Sequence, residues 1–365
     1  RVVLLIDSKL RDLPVAALID HHLSKLGIEC YLQPLESYRS ALEAIRPHMI
    51  IFNHLTAGHL ADYSRRLHKM GVKTAVLINE GILYDKDSLE FNAGRFHRGA
   101  HIDEYLCWNE IHGDALAKHL DNNTSRISVV GVPRFDFYTP PWSSKFEPIL
   151  ADRQRPVVLL CTNFQVAAYW EMPRKEAEKS FAGWIDRVPM WENYWEAVED
   201  SHKGRQQLFS FLDHLVQADK YHLILRAHPR EDDTIYRQWH QKLAPELRNN
   251  VTLDRDSNIS SLILACDVEV SCETCTTAIE SWIAGKPTIE LAFERNSLWF
   301  HEEHAAANVL CDNPLRFVDT IDRVLKSTDS TILEQRKQHL KRWCFKNDGA
   351  ASQRVAEIIA DSLKD

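Results

Sequence analysis

A short strand at Leu223–Arg226 runs directly into Ala227-His228-Pro229. A guanidinium and an imidazole leaving the carboxyl edge of a sheet, Arg226 and His228, can both donate hydrogen bonds to a phosphate. Pro229 ends the strand and fixes the turn. A His-Pro dipeptide alone is weak evidence, but it gains weight from a second segment, Ser271-Cys272-Glu273-Thr274-Cys275-Thr276-Thr277-Ala278-Ile279-Glu280, which follows the strand Val268–Ser271. Thr276 or Thr277 would cap the next helix, whose free amides and dipole form a ready anion site. Glu280 lies about one turn further on, placed to accept from ribose hydroxyls. The plainer alternative is an ordinary capped helix running through Trp282 to Gly285-Lys286-Pro287, with Glu280 solvated. Each piece alone favours that alternative. Together, at the ends of two strands of one domain, they point to a nucleotide monophosphate or diphosphate site.

In the first third of the chain, Ile78-Asn79-Glu80-Gly81 ends another strand with a carboxylate and a permissive glycine. A general base or nucleophile would sit there, although an exposed loop glutamate is the commoner explanation. Asp7-Ser8-Lys9-Leu10-Arg11 also follows a strand and offers Asp7, Lys9 and Arg11 to the same rim as acceptor or substrate contacts. Other signals carry less. Cys272 and Cys275 form a lone pair without a second pair at zinc spacing. His301 and His304 stand three apart, where a zinc-protease helix needs four, so 301–304 reads as a polar loop or helix face. The mixed charges near 320–342 read as a solvated helix face. No Walker A segment, no Gly-x-Gly-x-x-Gly and no acidic metal-binding motif occurs, so neither a dinucleotide fold fingerprint nor a metal is assigned.

These residues need a frame, and the chain supplies one. Strand-like runs at Val2–Ile6, Cys30–Leu32, Met49–Asn53, Thr74–Ile78, Tyr105–Trp108 and Ile127–Val130 alternate with amphipathic stretches, among them Pro14–Leu26, Ser37–Ile45, Leu60–Met70 and Glu110–His119. In Pro14–Leu26 the spacing places Leu18, His22 and Leu26 on one face. The pattern resumes at Val157–Cys161, Leu223–Arg226, Val251–Asp254, Val268–Ser271 and Thr288–Leu291. This is α/β text, predicting two Rossmann-like doubly wound domains with an interdomain cleft facing the strands' carboxyl ends. That is the geometry of a two-Rossmann glycosyltransferase. Thr139-Pro140-Pro141-Trp142 places the linker near 138–155. Residues 1–145 then form the first domain and 146–349 the second, while 350–365, including a helix at Ala350–Leu363, could cross back to complete the first. Segment 165–200 carries Trp170, Trp184, Trp191 and Trp195 without a clear period. It reads equally as a lid or acceptor-binding insertion and as a satellite hairpin packed by tryptophan.

Composition narrows the class. The chain has 365 residues with 44% hydrophobic side chains, enough for two cores. Only 12 glycines and 14 prolines occur, which argues against Gly-rich repeats. The net charge is −8, and residues 1–145 balance 17 basic against 17 acidic side chains, so the excess acid lies in 146–365. A protein that wraps nucleic acid would show the opposite balance. The longest apolar runs are about five residues, far short of the roughly twenty that span a bilayer. Neither a signal peptide nor a disulfide framework is evident in the eight cysteines' irregular spacing, so a reducing cytoplasm is expected.

Six segments occur in the order found in bacterial surface carbohydrate biosynthesis proteins: Asp7–Leu13, Glu80-Gly81, Gly131-Val132-Pro133-Arg134-Phe135-Asp136, Cys161-Thr162-Asn163-Phe164, Arg226-Ala227-His228-Pro229, and Cys275–Glu280 with Gly285-Lys286-Pro287. The chain resembles the GT-B group that includes the β-Kdo transferases of capsule and O-antigen assembly, and more distantly bacterial sialyl- and polysialyltransferases. The resemblance runs from residue 7 to 287. It implies a metal-independent glycosyltransferase that takes CMP-Kdo as a substrate rather than holding a resident cofactor. His228 and the Thr276-Thr277 helix end would hold the CMP phosphate, Arg226 would assist, Glu280 would meet the ribose, and Glu80 would be the catalytic carboxylate. Asp7, Lys9, Arg11 and Asn163 fall on the substrate or acceptor side. The acceptor would be a surface polysaccharide or lipid-linked glycan, with peripheral contact to the inner membrane or to other assembly enzymes. Three positions depart from the pattern: Asn79 replaces an acidic residue, Ala227 a proline and Val132 an asparagine. They leave open a UDP-sugar, GDP-sugar or CDP-glycerol donor, or a catalytically silent module that binds glycan or partner proteins.

Overall fold

Runs such as VVLLI at Val2–Ile6 and VVLLC at Val157–Cys161 put bulky apolar side chains on both faces of a strand, and nearly all of them are buried. Burial on both faces belongs to parallel sheets covered by helices on either side. The computed structural model describes residues 1–365 except 56, 96–98, 121–124, 147–153, 183–190, 294–299, 328 and 365. The chain divides into two units, Arg1–Trp142 with Leu340–Asp365, and Ser143–His339.

The first unit holds β1 (Val2–Ile6), β2 (Cys30–Pro34), β3 (Met49–Phe52), β4 (Lys73–Leu77), β5 (Glu104–Cys107) and β6 (Arg126–Val129). They pair in parallel in the order β2-β1-β3-β4-β5-β6. The connection leaves β1 toward β2 and then returns to β3 on the other side, so the strand order reverses at β1/β3, where open sheets bind ligands. The helix Asp12–Lys25 covers this sheet through Ala16, Leu18, Ile19 and Leu23. Of the face read from the sequence, Leu18 is buried while Leu26 is 49% exposed, and the inward stripe runs through Ala16, Ile19 and Leu23. The helix Ala351–Ser362 adds Val355, Ala356 and Ile359 to the same core.

The second unit holds β7 (Val157–Cys161), β8 (His222–Arg226), β9 (Val251–Asp254), β10 (Val268–Cys272), β11 (Thr288–Leu291) and β12 (Val309–Cys311). Its order is β12-β11-β10-β7-β8-β9, all parallel, with the reversal at β7/β10. The sequence reading missed β12, which is three residues long with Leu310 exposed, too short and open to leave a pattern. One face of this sheet is apolar, with Val270, Cys272, Ile289 and Leu291 in the main core. Side chains alternate along a strand, and the other face at β10 and β11 presents Glu269, Ser271, Thr288 and Glu290, all buried.

That polar layer draws in residues read from sequence as solvated. His304 is fully buried in the helix Glu302–Ala305, with Nδ1 2.8 Å from Glu290 Oε2 and Nε2 3.0 Å from the Cys275 carbonyl. Arg336 is buried too, donating to the Ala307 carbonyl at 3.0 Å and to Thr288 Oγ1 at 2.8 Å. The polar face and helix face expected at 301–304 and 320–342 therefore turn partly inward, because buried carboxylates on the sheet require donors. In segment 165–200, Trp191 and Trp195 pack against a small cluster of Val166, Phe181, Tyr194 and Val198, and Trp170 stacks on Trp195. Trp184 lies outside the described residues.

Candidate functional site

In the second unit, hydrogen bonds tie together the loops that leave three adjacent strands. After β7, Thr162 Oγ1 accepts from the His228 amide at 3.2 Å and donates to Glu231 Oε1 at 2.7 Å. Asn163 Nδ2 donates to the Thr274 carbonyl at 3.2 Å, across the β7/β10 reversal. Asn163, His228 and the Cys275–Thr277 loop are thereby brought to one edge. Glu231, absent from the sequence reading, is the anchor. It is 4% exposed and also accepts from the Phe164 amide and from Tyr236 Oη, each at 2.7 Å. Burial raises its carboxyl, against the pull of those donors. Its only signal was its place two residues after the His-Pro turn.

His228 presents a single free edge. Its Nδ1 accepts from the Arg230 amide at 3.1 Å, which leaves Nε2 as the protonated nitrogen of a neutral ring. Burial, with a smaller contribution from Arg230, lowers its pKa to about 4. His228 thus offers one N–H without a charge. Arg226 differs from the expectation. Its guanidinium is 7% exposed and ion-paired with Asp254 on β9, so its charge is neutralised inside the unit. It is placed to hold β8 to β9 rather than to reach a ligand.

The helix Thr276–Ile283 starts at Cys275, whose extended backbone (φ −140°, ψ 140°) makes it the N-cap, without a side-chain cap hydrogen bond. Neither Thr276 nor Thr277 caps it, contrary to expectation. Thr277 Oγ1 instead donates to Glu269 Oε1 at 2.7 Å. The Ala278 amide donates to the Cys275 carbonyl at 3.2 Å, and the amides before it lie at the positive end of the helix dipole. Glu280 is 4% exposed, so it is part of the buried layer rather than solvated. Just before the helix, Glu273 holds a left-handed backbone (φ 60°), a conformation that costs a non-glycine residue on the order of 1–3 kcal/mol and gathers at functional sites. Glu269 and Glu273 are each pushed up to about 8, chiefly by burial, with Glu290 adding to both. Both are mainly protonated near pH 7. These two acids therefore place little negative charge beside the helix end.

In the first unit, Arg11 gathers two of the other predicted residues, Asp7 and Glu80, together with Asp12. Its guanidinium meets Asp12 at 2.6 Å, Asp7 at 3.3 Å and Glu80 at 3.5 Å. Burial alone would raise the Asp12 carboxyl, but the hydrogen bond and charge of Arg11 hold it below the usual carboxylate range. Glu80 keeps 55% of its side chain exposed, which leaves it accessible for proton transfer. Lys9 is exposed, and no contact joins it to this group among the described residues. Gly81 is required by close approach: a Cβ there would lie 2.9 Å from Trp108 Cβ and Cγ. Asn109 Nδ2 fixes this turn by donating to the Gly81 carbonyl at 2.7 Å. Beside it a cavity of about 50 Å³ at the β1/β3 reversal is lined by Arg11, Asp12, Asn53, Asn79, Trp108 and Arg134, among others. Asn53 Oδ1 and Trp108 Nε1 are buried there without hydrogen-bond partners.

Among the described residues, no helix is long and apolar enough to cross a membrane, and all eight cysteines are free thiols. No protein-family model matches the chain, and no curated protein matches it in sequence. Solved structures match its fold over nearly the whole length. The UDP co-structure of MnaA from S. aureus is 14% identical with a TM-score of 0.61, covering 100% of this chain and 96% of that one. UDP-GlcNAc 2-epimerase from Neisseria meningitidis, bound to UDP-GlcNAc, is 13% identical with a TM-score of 0.54 and covers 99% of both chains. A glycosyltransferase from Rickettsia africae is 10% identical with a TM-score of 0.51, covering 100% of this chain and 98% of that one. The two six-stranded parallel sheets and these likenesses show a GT-B fold built of two Rossmann-like domains.

Proposed function

We propose that the protein is a glycosyltransferase that binds a nucleotide sugar on its second unit and transfers the sugar to a glycan acceptor. The observation that carries this reading is the convergence of the His228 Nε2–H and the uncapped start of Thr276–Ile283 at one sheet edge, joined through Thr162 and Asn163. When the bond to the sugar breaks, negative charge builds on the leaving phosphate. Fixed N–H donors then bind the transition state more strongly than the ground state. No metal is required by that arrangement.

A UDP-sugar is the donor we favour. Two of the proteins of like fold named above were solved with UDP and UDP-GlcNAc, whereas the CMP-Kdo reading rests on the motif resemblance alone. The first unit would take the acceptor, with Asp7, Lys9 and Arg11 as contacts and Glu80 removing the proton from the attacking hydroxyl or attacking the anomeric carbon itself. Arg11, 3.5 Å from Glu80, would orient that carboxylate. A second reading, epimerisation of the nucleotide sugar, is favoured by the neighbour named a UDP-GlcNAc 2-epimerase. It needs no acceptor.

The test is nucleotide release from UDP-GlcNAc, UDP-glucose and CMP-Kdo, with and without glycan acceptor, with the sugar products identified. The transferase reading expects acceptor-dependent release from a UDP-sugar. His228→Ala should lower kcat by about 10²-fold or more, as loss of one charge-stabilising donor does. Glu80→Gln should lower it by about 10²–10⁴-fold. Release only from CMP-Kdo would overturn the donor, an epimerised nucleotide sugar would overturn the transfer, and full turnover in both variants would overturn the site.

A further inference from the structure

At the amino edge of the first unit's sheet, away from the Glu80 rim, His68, His101 and Asp103 each present a ligand atom, and the three atoms lie within 4.8 Å of one another. His101 Nε2 and Asp103 Oδ1 are 3.5 Å apart. That is about the edge of a ligand tetrahedron around zinc, whose bonds to nitrogen and oxygen are about 2.0–2.2 Å. Both residues are held from behind. Asp103 Oδ2 accepts from the Thr74 amide at 2.7 Å and from Thr74 Oγ1 at 3.1 Å, which leaves Oδ1 facing outward. The His101 amide donates to Ser64 Oγ at 3.0 Å, and its carbonyl lies 2.9 Å from Thr74 Oγ1. Ser64 and Thr74 are fully buried. Such a supporting layer is what orients ligands in metal sites.

His68 supplies the third vertex from the last turn of the helix Gly58–Lys69, where the dipole favours a cation. Its ring stacks on His101 with centroids 3.5 Å apart. Stacking keeps the rings' in-plane lone pairs parallel, so ligation requires rotation of the exposed His68 side chain out of the stack. A cavity of about 360 Å³, lined by Arg65, Lys69, Tyr105 and Leu120 among others, opens beside the group. Arg65 is already engaged by Asp62 and the Gly99 carbonyl. Two imidazoles and a carboxylate form a donor set suited to zinc, and three protein ligands leave one position open.

We propose that His68, His101 and Asp103 bind one zinc ion, with the fourth position taken by water or an anion from the cavity. The site joins the end of Gly58–Lys69 to the entry of β5, and it is separate from the proposed transfer chemistry. Sequence spacing could not reveal it, because His68 stands 33 residues before His101 and joins it only through the fold.

Zinc titration of the full chain by calorimetry, with thermal melting alongside, tests this. The wild type should bind one zinc that His68→Ala and His101→Ala weaken at least about tenfold, with Asp103→Asn weakening it similarly. Zinc should raise the melting temperature of the wild type and not of His68→Ala, a surface change that leaves the fold intact. No zinc binding by the wild type, or binding equal in the His68→Ala and His101→Ala variants, would overturn the proposal.

Discussion

Raising the pH from 5.5 to 8.5 should destabilise the second unit through Glu269. Burial is the main reason its carboxyl is pushed up from an ordinary 4.5 to about 8, with Glu290 and Glu280 adding to the effect and the Thr277 hydrogen bond and Arg336 opposing it. Between those values the folded chain keeps a proton that the unfolded chain has released. Stability contributed by this group is therefore complete below about pH 4.5 and is lost as pH rises toward 8. At about 1.4 kcal/mol per pH unit, the part of that span between pH 5.5 and 8 is on the order of 3–4 kcal/mol. For a unit of roughly 200 residues at about 2–4 °C per kcal/mol, that corresponds to a fall of about 10 °C in melting temperature. Glu269→Gln cannot titrate. Its amide leaves a buried donor where Glu269 Oε2 had no partner, so the variant starts from a lower stability, by about 1–3 kcal/mol. Its melting temperature should nevertheless change less with pH than that of the wild type. Calorimetric melting of both proteins at half-unit pH steps isolates Glu269, because Glu273, also pushed up to about 8, titrates in both. Parallel curves across the window would refute the reasoning.

Three further outcomes follow from packing and hydrogen bonding. Gly81→Ala drives a Cβ to 2.9 Å from Trp108, so urea denaturation should show a loss of about 1–3 kcal/mol, and turnover should fall as the Glu80 turn shifts. Thr162→Val removes the hydroxyl that joins Glu231 to the His228 amide; a cost of about 1–3 kcal/mol in denaturant and weaker nucleotide binding are expected. Ile359→Ala, at a fully buried position of the terminal helix, should cost about 2–5 kcal/mol by the same measurement, because Ala351–Ser362 is part of the first unit's core.

Much of the scaffold was legible because buried parallel strands are written as short β-branched runs, and these placed eleven of the twelve strands among the described residues to within a residue or two. The exception, β12, is three residues long with Leu310 turned outward. For the candidate site, strand-end position was legible and partners were not. His228, Glu80 and the start of Thr276–Ile283 follow the strands read from the sequence. Residue type and strand-end position could not show that Arg226 spends its charge on Asp254, that Thr277 turns down to Glu269, or that Glu231 anchors the His-Pro turn. Each of those facts depends on a partner from another strand or loop. The buried polar face was missed for a related reason: Glu269, Glu290, His304 and Arg336 are individually surface types, and only their mutual hydrogen bonds let them be inside.

Nucleotide binding to wild type and His228→Ala, measured by calorimetry with UDP and with CMP, tests the central claim most directly. The wild type should bind UDP more tightly than CMP, and His228→Ala should weaken UDP binding by about tenfold, as loss of a hydrogen bond to a charged group of roughly 1.5 kcal/mol implies. Because His228 titrates only near 4, that difference should persist unchanged from pH 6 to 8, a window set by its neutral donor. Equal UDP affinity in the two proteins, or no nucleotide binding by the wild type, would contradict the account.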